Sequence, residues 1–440
     1  MAKADPGARA ARKAGSTDDT PASLGGARGA TMLALATTGF ALCFWAWALI
    51  SPLGSAYGEE FGLSSFEQSL LVALPVVVGS LGRIPVGALT DRLGARAMFP
   101  AIAALTVIPV LFVGLAGVSY PLLLIGGFFL GLGGTSFAVG VPLVNGWFPP
   151  ARRGTMLGIF GAGTVGTAIA SFTTVQLADS FGRPAPFILV AVLLAVYALV
   201  ARALLADPPN RPAPAAGSIW TRAWATLREP VTLKLSWLYA LGFGGFVAFS
   251  VYLPTYLVNA YGMERGDAAL RTAGFVVLAV VMRPIGGYLS DRVGALKVLT
   301  ACFGLTAVFA FGAAMNLHLM PQGTVMFLGM AVTLGAAAGA VFALVSELVE
   351  PARVGAVTGI VGAAGGLGGF IPPLVMGVVY GQSGHYSLGL GLLAGVALGT
   401  AVFAWLGFHT GPEAGGPVSP ASGSGGSAPA SSDRGAAASR

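Results

Sequence analysis

Between residues 31 and 409 the chain alternates long apolar runs with short polar breaks. Twelve runs are discernible, at 31–57, 66–90, 97–117, 120–148, 153–177, 185–206, 231–258, 268–290, 296–316, 323–349, 354–380 and 386–409. Each is about as long as a helix needs to cross a bilayer, roughly 20 residues. The longest polar stretch inside this region, 207–230 (DPPNRPAPAAGSIWTRAWATLREP), falls at its middle and reads as a linker. The pattern predicts an all-α membrane protein with two six-helix bundles, 31–206 and 231–409. Residues 1–30 and 410–440 are small and polar and are expected to be disordered tails. The first of these has no apolar segment of the kind a signal peptide carries.

Composition narrows the function. Of 440 residues, 55% are hydrophobic and 9% are charged, against about a quarter charged in soluble domains. Such a chain cannot cover a soluble body, which excludes a soluble enzyme and a secreted disulfide scaffold. The net charge of +7 does not point to nucleic acid, because the basic residues sit in short breaks between apolar runs. Nineteen Lys and Arg fall in the tails and in the breaks on one side; only Arg183, Arg265 and Arg271 fall on the other. By the positive-inside rule both termini are cytoplasmic. Cys43 and Cys302 lie in apolar runs, where a lone thiol behaves as a small hydrophobe. His318, His385 and His409 are isolated, so no metal or cofactor is expected.

The two halves repeat. Leu81–Pro100 matches Val281–Thr300 at an offset of 200, pairing Arg83 with Arg283, Asp91 with Asp291 and Arg92 with Arg292. Gly154–Ala162 matches Gly355–Ala363 at an offset of 201, pairing Gly161 with Gly362. The shared G-x-L-[TS]-D-R-x-G places Asp91, Arg92, Asp291 and Arg292 at helix ends. Arg83 and Arg283 lie eight residues further in, about 12 Å at 1.5 Å per residue. All acidic residues fall in tails, breaks or helix ends. A guanidinium at membrane depth without a counter-charge costs about 3 kcal/mol or more, and it cannot shed its proton. Either each arginine finds backbone carbonyls or snorkels to an interface, or the missing counter-charge is a substrate. A pair at equivalent points of two repeats favours the second, with two forked donors suited to a small planar oxyanion.

Two glycine-rich segments add a constraint of size. Gly158–Gly166 (GIFGAGTVG) and Gly359–Pro373 (GIVGAAGGLGGFIPP) allow close approach of neighbouring helices or of a ligand. Aromatic residues Phe44, Trp45, Trp47, Phe137, Tyr239 and Phe243 are candidates to enclose a flat anion. The fingerprint G-x-G-x-x-G at Gly161–Gly166 has no strand before it, so a nucleotide site is unsupported.

These stretches, together with CFWAWALISPLG (Cys43–Gly54), LPVVVGSLGRIPVG (Leu74–Gly87) and TSFAVGVPLVNGWFPP (Thr135–Pro150), resemble the nitrate/nitrite porters (NarK-type) of the major facilitator superfamily. The resemblance runs through the core. It implies the major facilitator fold and anion binding by Arg83 and Arg283. It places Phe137, Tyr239, Phe243 and Phe44 among the substrate contacts, with the signature positions Gly163, Thr164 and Gly365. Asp91, Arg92, Asp291 and Arg292 then belong to the gating motif. Thr164 departs from the family, which commonly has Asn there. The function implied is secondary transport of nitrate and/or nitrite, by exchange or with protons, as a functional monomer in the inner cell membrane. Transport of another small anion (formate, cyanate or an organic acid) and a non-transporting membrane sensor are the alternatives.

The charge asymmetry makes a direct prediction. Reporter domains fused after residue 28, within 207–230 or after 411 should all remain in the cytoplasm. An exported reporter at any of the three would reverse the orientation.

Overall fold

The computed structural model describes residues 26–209, 219–349 and 354–407. It contains twelve helices long and apolar enough to cross a membrane. They are α1 (Ala27–Glu60), α2 (Ser65–Leu93), α3 (Ala95–Ala116), α4 (Tyr120–Trp147), α5 (Thr155–Phe181), α6 (Ala185–Leu204), α7 (Pro230–Tyr261), α8 (Arg265–Val293), α9 (Ala295–Ala314), α10 (Leu319–Val345), α11 (Ala356–Ser383) and α12 (Ser387–Leu406). Each overlaps one apolar run of the sequence, although α1 begins four residues before the first run was expected to start. The described part of the linker includes a short helix, Ile219–Leu227, against the start of α11 and the end of α2. The rest of the linker and most of both expected tails lie outside the described residues.

Packing repeats between the halves. In the first, α1 packs on α5, α2 on α4 and α3 on α6; in the second, α7 packs on α11, α8 on α10 and α9 on α12. Adding six to each number turns one set into the other, which is the internal repeat expressed in space. The main contacts between the halves are reciprocal, α5 with α8 and α2 with α11, and α7 also packs on α1 and α2. Helices α3, α6, α9 and α12 stand outside. Leu105, Ile108 and Leu115 of α3, Val192, Val196 and Leu199 of α6, and Leu305, Val308 and Phe311 of α9 are exposed. Rows of apolar side chains this extensive suit hydrocarbon rather than water. By contrast α7 is enclosed, with every residue from Leu241 to Leu257 buried.

Small residues set how closely the arginine-bearing helices sit. On α10, Gly335 and Gly339 are four apart and so share one face. A β-carbon at Gly335 would collide with the Ala279 carbonyl of α8, and one at Gly339 with the carbonyl of Arg283 itself. In the first half, Gly79 of α2 lies against Gly134 of α4, and a β-carbon on Gly134 would come 2.9 Å from the Gly79 Cα. Both arginines are therefore fixed in depth and rotation by backbone contact with the neighbouring helix.

The ends of the bundle differ. At the end away from the linker the halves are tied together. Ser69 donates to the Tyr252 hydroxyl at 3.2 Å and Asn259 to the Gln68 side-chain oxygen at 3.4 Å. The Ser51 hydroxyl donates to the Val251 carbonyl at 2.5 Å, and Arg265 pairs with Glu59. Tyr252 and Tyr386 share a hydrogen bond of 3.2 Å, and Asn259 donates to Tyr386 at 3.3 Å. At the linker end, Gly158 of α5, Gly287 of α8 and Gly359 of α11 face open space.

Candidate functional site

Arg83 and Arg283 each occupy the nineteenth residue of a span of 29 residues. Among the described residues they are the charged side chains lying more than roughly two turns from either end of a span. Three helices are irregular at this level. A 3-10 turn, Gly131–Thr135, interrupts α4; another, Ala162–Val165, interrupts α5; and α11 breaks after Gly368. Irregular backbone at membrane depth is tolerated where protein encloses it, and it frees polar groups for other partners.

Arg83 is 6% exposed. Its Nε donates to the Gly134 carbonyl at 3.2 Å, and its NH1 donates to the Gly362 carbonyl at 2.6 Å. The first acceptor is on α4 in the same half; the second is on α11 in the other half. Its guanidinium carbon stands 5.1 Å from the Phe137 ring centre and 5.9 Å from that of Phe243. Arg283 is placed differently. Its NH1 donates to the Thr164 hydroxyl at 3.2 Å, while Thr164 donates its own proton to the Gly161 carbonyl at 2.9 Å. Its Nε and NH2 are buried without a hydrogen-bond acceptor. Its guanidinium carbon lies 4.9 Å from the centre of Phe243 and 4.6 Å from that of Phe246. Arg83 thus adopts the backbone-carbonyl arrangement that the sequence left as an alternative, and Arg283 does not.

One ring, Phe243, carries both charges, an arrangement that cation–π attraction favours. Tyr239 stacks on it with ring centres 5.0 Å apart and planes 7° from parallel. Gly365 presses on this stack: a β-carbon there would come 3.1 Å from Phe243 and closer still to Tyr239. The structure therefore brings Arg83, Arg283, Phe137, Tyr239, Phe243, Thr164 and Gly365 to one place. Phe44 packs instead on Phe40 and Trp47, with ring centres 4.4 and 5.2 Å away. A β-carbon at Gly163 would meet Phe40 and the Thr37 carbonyl of α1, so this glycine seats α5 on α1. The motif residues Asp91, Arg92, Asp291 and Arg292 are exposed at the linker end. Arg292 stacks over Tyr288 at 4.8 Å. Glu347, just beyond the spanning part of α10, has its carboxyl raised above the ordinary value, first by partial burial and then by the Asp291 charge.

Sequence reasoning missed Phe246, three residues from Phe243 and so on the same face of α7, a spacing that was legible. It also missed the carbonyls of Gly134 and Gly362, which no side-chain pattern announces.

Two bundles related by an internal repeat, closed over a buried charged centre, have the build of a membrane carrier. The family model described as Major Facilitator Superfamily matches residues 36–280 and 260–434. A relative from Mycobacterium tuberculosis named as a probable nitrate/nitrite transporter, NarK2, is 49% identical over 372 residues, 84% of this chain and 94% of its own. A nitrite extrusion protein of Bacillus subtilis is 39% identical over 82% of this chain and 89% of its own. A probable nitrate/nitrite antiporter, NarK1, of Thermus thermophilus is 35% identical over 78% of this chain and 84% of its own. Among solved structures, an inward-facing, occupied bacterial homolog of the human lysosomal transporter Spinster superposes with a TM-score of 0.68 at 19% identity, covering 87% of this chain and 97% of that one. The chain belongs to the major facilitator superfamily and, within it, to the NarK-type nitrate/nitrite porter family.

The glycine geometry predicts a contrast within α11. Gly365→Ala should abolish transport in correctly inserted protein, because its methyl displaces the Tyr239–Phe243 stack. Gly359→Ala, with nothing within 4 Å of the added atom, should transport at close to the native rate. Uptake assays normalised to membrane-inserted protein decide it; equal activity of the two variants would contradict the packing described.

Proposed function

We propose that the protein is a secondary transporter of nitrate and/or nitrite, working by alternating access with the anion held between Arg83 and Arg283. The observation that carries this reading is the Nε and NH2 of Arg283, buried without an acceptor, in a membrane interior where no described acid lies near either arginine. A small planar oxyanion supplies the acceptors and the charge that this position lacks. The names of the relatives support the choice of nitrate and nitrite. Phe137 and the Tyr239–Phe243 stack wall the site, and their flat apolar faces exclude water around the ion, which strengthens its attraction to the guanidinium groups.

Transport then consists of rocking the halves about this centre. The linker end, which faces the cytoplasm in this reading, carries the gating motif and opens beside Gly158, Gly287 and Gly359. The opposite end closes through the Ser69–Tyr252 and Gln68–Asn259 bonds and the Arg265–Glu59 pair. The protein lies in the inner cell membrane, and one chain holds a complete site, so a monomer suffices. Exchange of like anions is the simpler mode, because among the described residues no carboxylate lies at membrane depth to serve as a proton relay.

The test is counterflow in proteoliposomes. Vesicles loaded with nitrate or nitrite should accumulate labelled nitrate, whereas vesicles loaded with formate, cyanate or chloride should not. Equal counterflow against formate or cyanate would move the substrate class to another small anion. Accumulation driven by a pH gradient alone, with no internal anion, would overturn exchange as the sole mode.

A further inference from the structure

We propose that the corner where α2 and α6 end and α3 begins, on the linker side, binds the headgroup of an anionic membrane phospholipid through Arg96 and Arg202. The corner holds a cavity of about 360 Å³ lined by Leu93, Arg96, Ala97, Arg202 and Asp207. Leu93 is the last residue of α2, Arg96 and Ala97 lie in the first turn of α3, and Arg202 lies in the last turn of α6. Because α3 packs along α6, the two arginines come to the same end of that pair, and both side chains are exposed. The Asp207 carboxylate accepts from the backbone N–H of Arg96 at 3.0 Å. That bond ties the chain leaving α6 to the start of α3, where a carboxylate suits the helix N-terminus, and it uses the main chain of Arg96 rather than its guanidinium. Two cations and one anion leave the lining with a positive charge in excess. A phosphodiester of single negative charge matches it, and guanidinium forks suit the paired oxygens of a phosphate.

The occupant is a lipid rather than a soluble phosphate because the cations head an apolar surface. Val192, Val196, Leu199 and Arg202 follow one another on α6 at spacings of four, three and three, so they share one face of the helix. The three apolar members are 54%, 53% and 74% exposed. Hydrocarbon covers such a stripe, and Arg202 ends it at the level of the headgroups. In the orientation that the charge asymmetry predicts, this end lies in the cytoplasmic leaflet, where anionic lipids attract basic side chains. The internal repeat supplies a comparison. At the offset of 200, Arg96 corresponds to Leu296 and Ala97 to Lys297. Helix α6 begins at Ala185 and α12 at Ser387, an offset of 202, which aligns Arg202 with Ala404. Neither arginine therefore has a cationic counterpart, and Lys297 stands in place of Ala97. The convergence of two arginines on one cavity is a property of the first half, not of the repeat.

The test is thermal melting of the purified, detergent-solubilised full chain during titration with dioleoylphosphatidylglycerol. The melting temperature of the native protein should rise saturably with added lipid. The double variant Arg96→Gln, Arg202→Gln should need about twentyfold more lipid for the half-maximal rise, each arginine contributing about fivefold. Lys297→Gln, at the corresponding corner of the second half, should stay within about twofold of the native response. No rise in the native protein, the same titration curve for native protein and double variant, or a loss in Lys297→Gln as large as in the double variant would overturn the site. An equal response to dioleoylphosphatidylcholine, whose headgroup carries no net charge, would overturn recognition of an anion. An equal response to soluble glycerol phosphate would overturn the assignment to a lipid. Should the double variant fail to insert, Arg202→Gln alone carries the test, because it replaces an exposed side chain and keeps the bond between Asp207 and the Arg96 main chain. A loss of about fivefold supports the site, and an unchanged curve overturns it.

Discussion

Two permanent positive charges stand in the middle of an apolar body with no described carboxylate near them, and the architecture around them answers that problem. Burying a guanidinium at this depth is expensive, so each must find other acceptors. Arg83 finds them in backbone carbonyls exposed by an irregular α4 and by α11. Arg283 finds one hydroxyl, and its Nε and NH2 stay buried without an acceptor. The aromatic faces of Phe137, Phe243 and Phe246 take up part of the remaining charge. The glycines of α4 and α10 bring backbone against backbone and hold the arginine-bearing helices in place, so the charges cannot escape to the membrane surface.

The same constraint links the site to motion. The carbonyl that satisfies Arg83 belongs to the opposite half, and so does the hydroxyl that anchors Arg283. Separating the halves at this level therefore breaks a bond to each cation at once. Hydrogen bonds to charged groups contribute about 1.5–3 kcal/mol each, which is enough to make the closed centre a defined state rather than one point on a continuum. Away from the linker, the closure is made of ordinary polar contacts among Ser69, Gln68, Tyr252, Asn259 and Tyr386. Exchanging one set of such contacts for another is a smaller demand than exposing the arginines.

Much of this was legible before any coordinates. The twelve spans followed from apolar run lengths. The arginine pair followed from an offset of 200 residues together with the absence of acids at depth. Tyr239, Phe243, Phe137 and Thr164 came from a resemblance, and the structure gathers all four around the arginines. The unequal surroundings of the two arginines were not legible, because they depend on backbone carbonyls and on one hydroxyl proton. The sequence repeat implied that Arg83 and Arg283 were interchangeable, yet Thr164 stands where the repeat has Gly365, and a single side chain reverses the local hydrogen bonding. Gly163 was similarly ambiguous: a glycine in a signature segment can face a ligand or a neighbouring helix, and this one faces Phe40 on α1.

The most direct measurement is an experimental structure of the protein with nitrate or nitrite bound. The account predicts a planar anion on the Nε–NH2 edge of Arg283, with donor–acceptor distances of about 2.7–2.9 Å, against the Phe243 ring and with Thr164 still bonded to Gly161. An anion bound elsewhere, or one held while the Arg283 edge is turned to a backbone carbonyl, would contradict it.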